Sequence, residues 1–505
     1  MTPERTAPIE LLHERAAAIG DAPLVSDESG STGTRELLAL VERTVDALRV
    51  HGVGPGALVG TVAWPPAAFV ADVLATVAVG AVAVPLSRRC TPWQLARLQA
   101  QAPLAWLSAP DDSPLTLCSP APLRPGRTVS RGAGRPEPAY EPAATAQLTS
   151  GTTGNARLAL RPAAALLAEA ENYRTALRLA PGDVLLSPVP LHHAYGFGLC
   201  ALAAPLAGAR VRCVDAGRPR VLLRAAAADD VTLFVGVPPL LRMLAKASRP
   251  GAHTAGGRAV GGRAVGGRAV GGRAVGGRAV GFLSAGMALD EHTAASIATR
   301  IGGRVGEVYG TTETGPICVR PPRPWQPGTA APGAPLPGVT VTLAPPPGRR
   351  ADGGRAGLVT VRSPSMMLGY AQGGTIDAAP VRDGFTTGDL ARWEGDALVL
   401  EGRLSTCINV AGDKVSPEEV EAVLLAFPEV ASCLVAGVAD PVLGQRISAT
   451  VTPDSVDLAA LDRFCRERLP DARVPHLYRA VAELATTETG KVIRPAPVGA
   501  PGSGV

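Results

Sequence analysis

The strongest constraint on the fold is an alternation of two sequence patterns between residues 145 and 310. Short runs rich in β-branched and other apolar residues predict strands at 184–187, 211–214, 231–237, 282–284 and 305–309. Helical periodicity lies between them, at 163–179 and 290–301. This alternation is typical of βαβ units around mostly parallel sheets. The sequence therefore predicts an α/β fold with a large N-terminal domain of βαβ-type sheets, and ligands are expected in the loops that follow the strands.

A smaller part of the chain follows a stretch rich in proline and glycine at 321–354. A turn-rich β section is predicted up to about residue 403, and beyond it strands at 430–438 and 447–452 and helices at 416–427 and 458–469. Ser416, Pro417 and Glu419 supply an N-cap, a proline at the first helical position and a capping-box glutamate. We therefore predict an N-terminal domain over 1–403 and a small α+β domain over 404–505.

A pentapeptide, GGRAV, is repeated five times over residues 256–280. The formal net charge of the chain is +5, and the repeat contributes five arginines, so the rest of the chain is neutral. A neutral body has no general attraction for nucleic acid or a membrane surface. Two glycines per unit oppose packing as helix or strand, so we predict a flexible surface insertion. Binding of nucleic acid through these arginines stays an alternative.

Several features bear on the cellular compartment. The apolar stretch 67–86 is interrupted by Asp72 and Gly80, so it predicts a buried helix and a buried strand rather than a membrane span. The N-terminal residues are charged and lack the apolar segment of a secretory signal. The eight cysteines include no CxxC pair, which favours reduced core thiols over disulfides or a zinc site. We expect a cytoplasmic protein without a membrane span.

The first motif with chemical content is TSGTTGNAR at residues 149–157. Its two glycines permit a tight loop whose backbone N–H groups can face an anion, and neighbouring hydroxyl groups add donors. No GKS or GKT follows, so the motif is not a Walker loop. The composition suits a polyphosphate ligand.

Further motifs follow in order along the chain. They are Tyr309-Gly310-Thr311-Thr312-Glu313, Thr387-Gly388-Asp389, Gly402-Arg403 with the segment 408–415, and Thr489-Gly490-Lys491. In order and spacing, from about residue 20 to residue 494, these motifs resemble the adenylate-forming superfamily of acyl-CoA synthetases, peptide-synthetase adenylation domains and beetle luciferases. The resemblance implies an ATP-dependent ligase whose C-terminal domain is mobile and carries a catalytic lysine.

The resemblance also implies where ATP and Mg²⁺ bind. The phosphate loop around the β- and γ-phosphates would comprise Thr149, Ser150, Gly151, Thr152, Thr153 and Gly154. Glu313, with Thr152, would hold Mg²⁺, a cation that prefers carboxylate and phosphate oxygens. Tyr309 would lie against the adenine beside Gly310 and Thr311, and Thr312 would lie near the α-phosphate.

Three more residues take roles from the same resemblance. Asp389 would accept both ribose hydroxyls, a task that suits the two oxygens of a carboxylate. Arg403 would lie beside it. Lys491 would bridge the carboxylate of the acid and the α-phosphate, where negative charge concentrates during attack.

The acid pocket is predicted around His193, within the segment 190–196 that resembles the family's gate. Its wall would come from three strand ends and includes Phe234, Gly236, Ser284, Ala285 and Gly286. Small and apolar side chains of this kind suit an aryl or medium aliphatic acid. No aspartate lies between residues 191 and 200 to pair with a substrate ammonium, which disfavours an amino acid.

The sequence departs from the family pattern at two positions in these motifs. Arg157 stands where a lysine is usual, which keeps the charge and changes its shape. Ser405 occupies the usual hinge position of an Asp or Lys.

The function predicted is activation of a small carboxylic acid to acyl-AMP with release of pyrophosphate, followed by transfer to a thiol. That thiol would belong to CoA or to the phosphopantetheine of a separate carrier protein. Two alternatives keep the fold: a ligase with a non-thiol acceptor, and a catalytically degraded nucleotide-binding relative. The retained Glu313, Asp389, Arg403 and Lys491 weigh against the second alternative.

Overall fold

The structure is a computed structural model. It describes residues 3–149, 157–216, 219–226, 228, 230–247, 280–328, 331–345, 356–404, 408–410, 413–440, 444–469, 473–487 and 492–494. Several residues of the sequence motifs lie outside the described residues: 150–154 of the phosphate loop, 256–279 of the repeat, Ser405 and Lys491.

The helices vary from single turns to seventeen residues. They are α1 Pro3–Ile19, α2 Thr34–Val50, α3 Pro66–Ala78, α4 Pro92–Gln101, α5 Ala163–Leu177, α6 Ala194–Gly196, α7 Ala204–Ala207, α8 Pro219–Ala226, α9 Pro238–Ala247, α10 Glu291–Ser296, α11 Pro417–Ala426 and α12 Leu458–Arg466. Wider π-helical turns connect α6 to α7 at Phe197–Ala203 and extend α10 at Ile297–Ile301. Short 3₁₀ turns occur at Pro138–Tyr140 and Ala379–Val381.

The strands are short, as the many turn residues predict. They are β1 Pro23–Ser26, β2 Ser31–Gly33, β3 Leu58–Val62, β4 Val82–Leu86, β5 Trp106–Pro110, β6 Cys118–Arg124, β7 Arg127–Arg131, β8 Ala143–Thr149, β9 Arg157–Pro162, β10 Val184–Ser187, β11 Arg210–Cys213, β12 Leu233–Gly236, β13 Gly281–Ala285, β14 Arg304–Thr311, β15 Gly315–Arg323, β16 Thr340–Ala344, β17 Ala356–Arg362, β18 Gly369–Gln372, β19 Thr375–Asp377, β20 Phe385–Glu394, β21 Ala397–Arg403, β22 Ile408–Val410, β23 Asp413–Val415, β24 Ser432–Asp440, β25 Gly444–Thr452 and β26 Leu477–Ala480.

Two large sheets form the N-terminal part. Within the described residues, one has the order β15-β14-β13-β12-β10-β11-β1-β2 and the other β19-β18-β9-β8-β4-β3-β5-β7-β6. The centre of the first, from β11 through β10, β12 and β13 to β14, is parallel, and so are the pairs that join β8, β4, β3 and β5 in the second. The strands β3, β4, β10, β12 and β13 are buried along their whole length, as parallel strands covered on both faces should be.

The predicted βαβ architecture is confirmed. The runs that predicted strands in 184–309 coincide with β10 to β14 within a few residues, and α5 begins at the predicted residue 163. The apolar stretch 67–86 is α3 followed by β4, and most of α3 is buried because it is apolar on nearly every side. No helix in the described ranges has both the length and the apolar character needed to cross a membrane.

A small antiparallel sheet, β16-β17-β20-β21, lies between the large sheets and the C-terminal part. The C-terminal part has its own antiparallel sheet, β23-β22-β25-β24 with β26 beside β25, and its own apolar cluster around Val420, Val435 and Leu461. Lys246 on α9 reaches across to this part, where its Nζ donates to the carbonyl of Val430 at 2.8 Å.

The start of α11 differs in one detail from the prediction. Ser416 is the N-cap and Pro417 the first helical residue, as predicted, but the Ser416 side chain makes no cap hydrogen bond. Its hydroxyl donates to Glu418 at 2.7 Å, and Glu419 pairs with Arg473. The predicted capping box is therefore wrong, because both side chains have stronger charged partners nearby.

Candidate active site

The site is organised around the hairpin of β14 and β15, which carries the motif at residues 309–313. Thr311 stabilises the turn, because its Oγ1 accepts from the backbone N of Thr314 at 3.2 Å. Thr312 and Glu313 are half-buried at the tip, and Gly310 is exposed at the end of the strand. The hairpin therefore presents Glu313 at the edge of the eight-stranded sheet.

Asp389 joins two sheets at this edge. It lies on β20 directly opposite Arg403 on β21, whose Nε donates to Asp389 Oδ1 at 2.7 Å. The other oxygen, Oδ2, accepts from the hydroxyl of Tyr309 on β14 at 2.8 Å. Asp389 is 6% exposed, and each of its oxygens keeps a further lone pair for a ligand hydroxyl. The structure thus brings together three residues that the sequence separates by as much as 94 positions.

Tyr309 has a structural role in addition to the contact with adenine predicted for it. Its ring is 7% exposed and packs in an apolar cluster with Ile317 and Val359. Burial, reinforced by the charge of Asp389, raises the pKa of Tyr309 well above its ordinary value and keeps the hydroxyl a donor. Its place is that of a support that orients Asp389.

Glu313 has a partner that sequence reasoning missed. The hydroxyl of Tyr370, on β18, donates to Glu313 Oε1 at 2.8 Å. Arg157 lies against the face of the same ring, 3.7 Å from its centroid, and its Nη2 donates to the hydroxyl at 3.1 Å. The planar guanidinium can make both contacts at once, which a lysine could not. The departure at Arg157 therefore links the residue that follows the phosphate loop to the candidate Mg²⁺ ligand.

The two described ends of the phosphate loop lie side by side. Thr149, the last residue of β8, pairs directly with Arg157, the first residue of β9. Thr149 is buried, and its Oγ1 has no hydrogen-bond partner among the described residues. A buried hydroxyl without a partner is costly, so its position at the start of the loop suits a donor to a bound phosphate.

Most of the residues predicted to line the acid pocket lie on adjacent parallel strands. Gly236, at the end of β12, pairs with Ser284 on β13, and Ala285 pairs with Val308 on β14. Ser284 is 1% exposed, and its Oγ has no partner within the described residues. Phe234 is fully buried, 5.5 Å between ring centroids from Phe282, and its ring lies close to Gly236.

Two further residues of the predicted pocket are exposed. Gly286 follows β13 with a φ of +82°, a conformation that favours glycine. His193 lies at the surface as the N-cap of α6, with its ring centroid 4.2 Å from that of His192.

His192 is the more enclosed of the two histidines. It lines an open cleft at the carboxyl ends of β10 and β11, together with Trp64 and Arg88. Burial, and secondarily His193, lowers the pKa of His192 to about 3, so its ring is neutral at physiological pH.

The catalytic lysine of the prediction, Lys491, lies outside the described residues. The chain on either side of the segment 488–491 is paired: Thr486 forms a bridge with Val492, and Ile493 N donates to Ala485 O at 2.8 Å. The described flanks therefore form an antiparallel pair at the end of the C-terminal part.

Comparisons with known proteins agree with this architecture. The AMP-binding enzyme family matches residues 12–371, and the AMP-binding enzyme C-terminal domain matches residues 419–491. Among solved structures, ATP-bound MatB from Rhodopseudomonas palustris superposes with a TM-score of 0.75 at 22% identity, covering 96% of this chain and 97% of that one. The o-succinylbenzoate CoA synthetase of Bacillus subtilis, in complex with the acyl-adenylate OSB-AMP, has a TM-score of 0.75 at 20% identity and covers 95% and 96%.

Relatives with curated names are similar over nearly the whole chain. A feruloyl-CoA synthase of an Amycolatopsis species is 28% identical over 91% of this chain and 92% of its own length. A sulfoacetate–CoA ligase of Cupriavidus necator is 28% identical over 96% of both chains. With one family covering residues 12–371 and its C-terminal domain following in order, the chain belongs to the AMP-binding enzymes, the adenylate-forming superfamily.

Proposed function

We propose that the protein activates a carboxylic acid by ATP-dependent adenylation and transfers the acyl group to the thiol of CoA. The observation that carries this proposal is the meeting of Asp389, Arg403 and Tyr309 beside the hairpin that presents Glu313. A carboxylate oriented on both oxygens suits a ribose, and a second carboxylate close to the phosphate loop suits a metal-bound polyphosphate. The names of the relatives favour CoA over the phosphopantetheine of a carrier protein.

In the first step, an oxygen of the acid would attack the α-phosphorus of ATP, and pyrophosphate would leave. Asp389 would bind the ribose hydroxyls, and Thr149 with residues 150–154 would bind the outer phosphates. Lys491 would neutralise the charge that develops between the carboxylate and the α-phosphate. In the second step, the CoA sulfur would attack the acyl carbon, and AMP would leave with the electron pair of the broken C–O bond.

The residues present fit a magnesium ion. Glu313 uses Oε1 to accept from Tyr370, and Mg²⁺ is commonly held by one or two carboxylates together with substrate phosphates. Glu313 would hold the ion, with Thr152 as a further ligand from outside the described residues. When bound, Mg²⁺ would offset the negative charge of the polyphosphate.

The pocket favours an aryl or aliphatic acid without a free α-amino group. Gly236, at the end of β12, and Ser284 and Ala285, at the end of β13, are small residues beside the aromatic pair of Phe234 and Phe282. We place the reaction in the cytoplasm, because Cys200, Cys213, Cys318, Cys433 and Cys465 are buried thiols, as is usual in a reducing compartment.

The test is acid-dependent exchange of labelled pyrophosphate into ATP over a panel of aryl, short, medium and long acids and amino acids. We expect exchange with one class of non-amino acid and a loss of about 10²- to 10³-fold in Lys491→Ala. Arg479→Ala is the control, since Arg479 is an exposed cation on β26 of the C-terminal part and lies outside the motifs.

Consumption of the free thiol then separates the acceptors. Loss of CoA thiol together with release of AMP supports transfer to CoA. If release of AMP requires a holo carrier protein or an amine, that molecule and not CoA is the acceptor. Absence of exchange with every acid, with ATP binding intact, would favour the degraded relative.

A further inference from the structure

A buried ion pair lies behind the candidate site and has no part in the chemistry described above. Arg161 on β9 and Glu169 on α5 have side chains that are 0% and 2% exposed, and Arg161 Nη1 lies 2.6 Å from Glu169 Oε2. Burial raises the pKa of Glu169, and the guanidinium opposes that rise. Arginine and glutamate are almost never buried so completely unless they are paired.

The surrounding fold makes room for this pair. A Cβ at Gly198, in the π-helical turn after α6, would lie 1.9 Å from Glu169 Oε1. A Cβ at Gly315, the first residue of β15, would lie 3.1 Å from Arg161 Nη2 and 2.8 Å from the Cβ of Ser365. Both glycines therefore face the pair closely, and a side chain at either position would press against it.

The guanidinium connects three pieces of backbone. Arg161 lies on β9, its Nη2 donates to the carbonyl of Ser365 at 2.9 Å, and its Nη1 makes a longer contact of 3.4 Å with Gln147 Oε1 on β8. Ser365 belongs to the turn at 363–367, which Met366 N closes by donating to Ser363 O at 3.2 Å. Arg161 therefore fixes this turn against the strands that enter and leave the phosphate loop.

The segment that begins with the turn at 363–367 also holds Glu313 directly. Met367 N donates to the backbone carbonyl of Glu313 at 2.8 Å. Three residues after Met367, Tyr370 donates to the Glu313 carboxylate. Both the main chain and the side chain of Glu313 are thus held by the segment whose start Arg161 anchors.

We propose that Arg161 is a positioning residue for adenylation: its guanidinium, balanced by Glu169, sets the place of Glu313 and Tyr370 relative to the phosphate loop through the turn at 363–367. This inference rests on the proposed function. A well-packed apolar pair of similar volume often stabilises a fold as much as a buried ion pair, so stability alone does not account for the charges.

The experiment replaces both charges together, as Arg161→Met with Glu169→Leu, so that no unpaired charge is left in the core. We expect a thermal midpoint equal to or above that of the wild type. The rate of pyrophosphate exchange should fall about 10- to 100-fold, because a displacement of about 1 Å at a reacting group has effects of this size. In calorimetric titrations, affinity for ATP should fall in the presence of Mg²⁺ and stay unchanged in its absence.

A matched control uses another buried pair of the same domain. Glu307 and Arg320, 2.7 Å apart, lie near the far end of the β14–β15 hairpin, away from Glu313. Arg320→Met with Glu307→Leu should leave the Mg²⁺ dependence of ATP affinity unchanged, whatever its effect on stability.

Each outcome decides the inference. If the Arg161/Glu169 double variant exchanges pyrophosphate and binds MgATP like the wild type, the positioning role is wrong while the proposed function stands. If the wild type shows no exchange, the proposed function itself fails. Should the double variant not fold, Arg161→Lys keeps the charge but loses the planar fork, and a normal Mg²⁺ dependence in that variant overturns the inference.

Discussion

The carboxylate of Asp389 is held by two residues with different roles. One oxygen is held by Arg403 and the other by Tyr309, so the carboxylate is oriented and nearly enclosed before any ligand arrives. Such preorganisation lowers the entropy lost when a nucleotide binds. The two supports differ in kind, because Arg403 supplies charge and Tyr309 supplies a neutral donor.

We expect Asp389→Asn to raise the KM for ATP by about 10- to 100-fold, because hydrogen bonds to a charged group are worth about 1.5–3 kcal/mol. The kcat for exchange should change less, since the ribose is held equally in the ground and transition states. Tyr309→Phe should have a smaller effect of the same kind. Steady-state kinetics of both variants measure this. An unchanged KM in Asp389→Asn would mean that Asp389 does not bind the ribose.

His192 gives a prediction for pH. Its pKa is lowered to about 3 in the folded protein, below the unfolded value of about 6.5, because burial penalises the charged ring. Between these values the unfolded chain binds more protons, so stability is complete above pH 6.5 and falls as the pH falls towards 3. The slope is at most about 1.4 kcal/mol per pH unit.

Chemical denaturation at several pH values tests this slope. His192→Asn should flatten this slope, because it removes the buried imidazole. A slope that survives His192→Asn unchanged would assign the pH dependence to other groups.

For single residues, the sequence identified the charged and hydroxyl groups of the candidate site better than the side chains that hold them in place. Asp389 and Arg403 stand in recognisable motifs, and the structure pairs them. Tyr370 lies in no such motif, because it reaches Glu313 only through the pairing of β18 with β9. Arg161 and Glu169 were not predicted either. A charged residue in a strand or helix is expected to be exposed, and only the packing of the surrounding elements shows that this pair is buried.

Two helix starts of the C-terminal part can be compared directly. Asp457 caps α12, and its Oδ1 accepts from the backbone N of Ala459 at 2.9 Å and of Ala460 at 3.1 Å. Ser416 stands at the same position of α11 without a side-chain cap. A residue type suited to capping therefore does so only where no competing partner is closer.

We expect Asp457→Ala to lower the free energy of unfolding by about 1 kcal/mol, the usual contribution of an N-cap. A loss in Ser416→Ala should come from its hydrogen bond to Glu418 rather than from a cap, so it should disappear when Glu418 is already alanine. Denaturant midpoints of these variants measure this, and a loss that persists without Glu418 would mean that Ser416 caps α11 in solution.

Elements were predictable where their own residues decide them. The buried strands β10 to β14 and the helix α5 follow from runs of apolar residues and from periodicity. The π-helical turns at Phe197–Ala203 and Ile297–Ile301 could not be predicted in this way, because the hydrophobic pattern of a few residues does not distinguish a π-helical turn from an α-helical one. At the first of these, the carboxylate of Glu169 occupies the space in front of Gly198, a contact that only the packed layers create.

For the whole molecule, the predicted division into 1–403 and 404–505 stays a prediction, although the C-terminal part has a sheet and an apolar cluster of its own. The predicted parallel sheets are confirmed, but the way the small sheet of β20 and β21 comes to lie beside β14 could not be read from the sequence. That placement depends on contacts between distant segments, such as Tyr309 with Asp389.

The GGRAV repeat gives a prediction for the whole molecule. Val280, its last residue, is buried, and its carbonyl accepts from Arg304 N at 3.2 Å, so a deletion should stop before the final unit. We expect removal of 256–275 to leave pyrophosphate exchange within about twofold, because closing a shorter surface connection changes the entropy only slightly. Kinetics of the deletion variant check this.

The same variant decides the nucleic-acid alternative. We expect neither the full chain nor the deletion variant to bind DNA or RNA in low salt. Binding by the full chain that weakens with salt and disappears with the deletion would support that alternative.

The chain holds only three lysines in 505 residues, at 246, 414 and 491, and it carries its other side-chain positive charges on arginine. Burial, with the nearby Arg242, lowers the pKa of Lys246 in this arrangement. In the structure its Nζ is held by the carbonyl of Val430 in the C-terminal part. Because this hydrogen bond has to break before the amine can react, the rate of acylation of the peptide that carries Lys246, followed by mass spectrometry beside only two other lysines, would report on the contact between α9 and the C-terminal part without an added label.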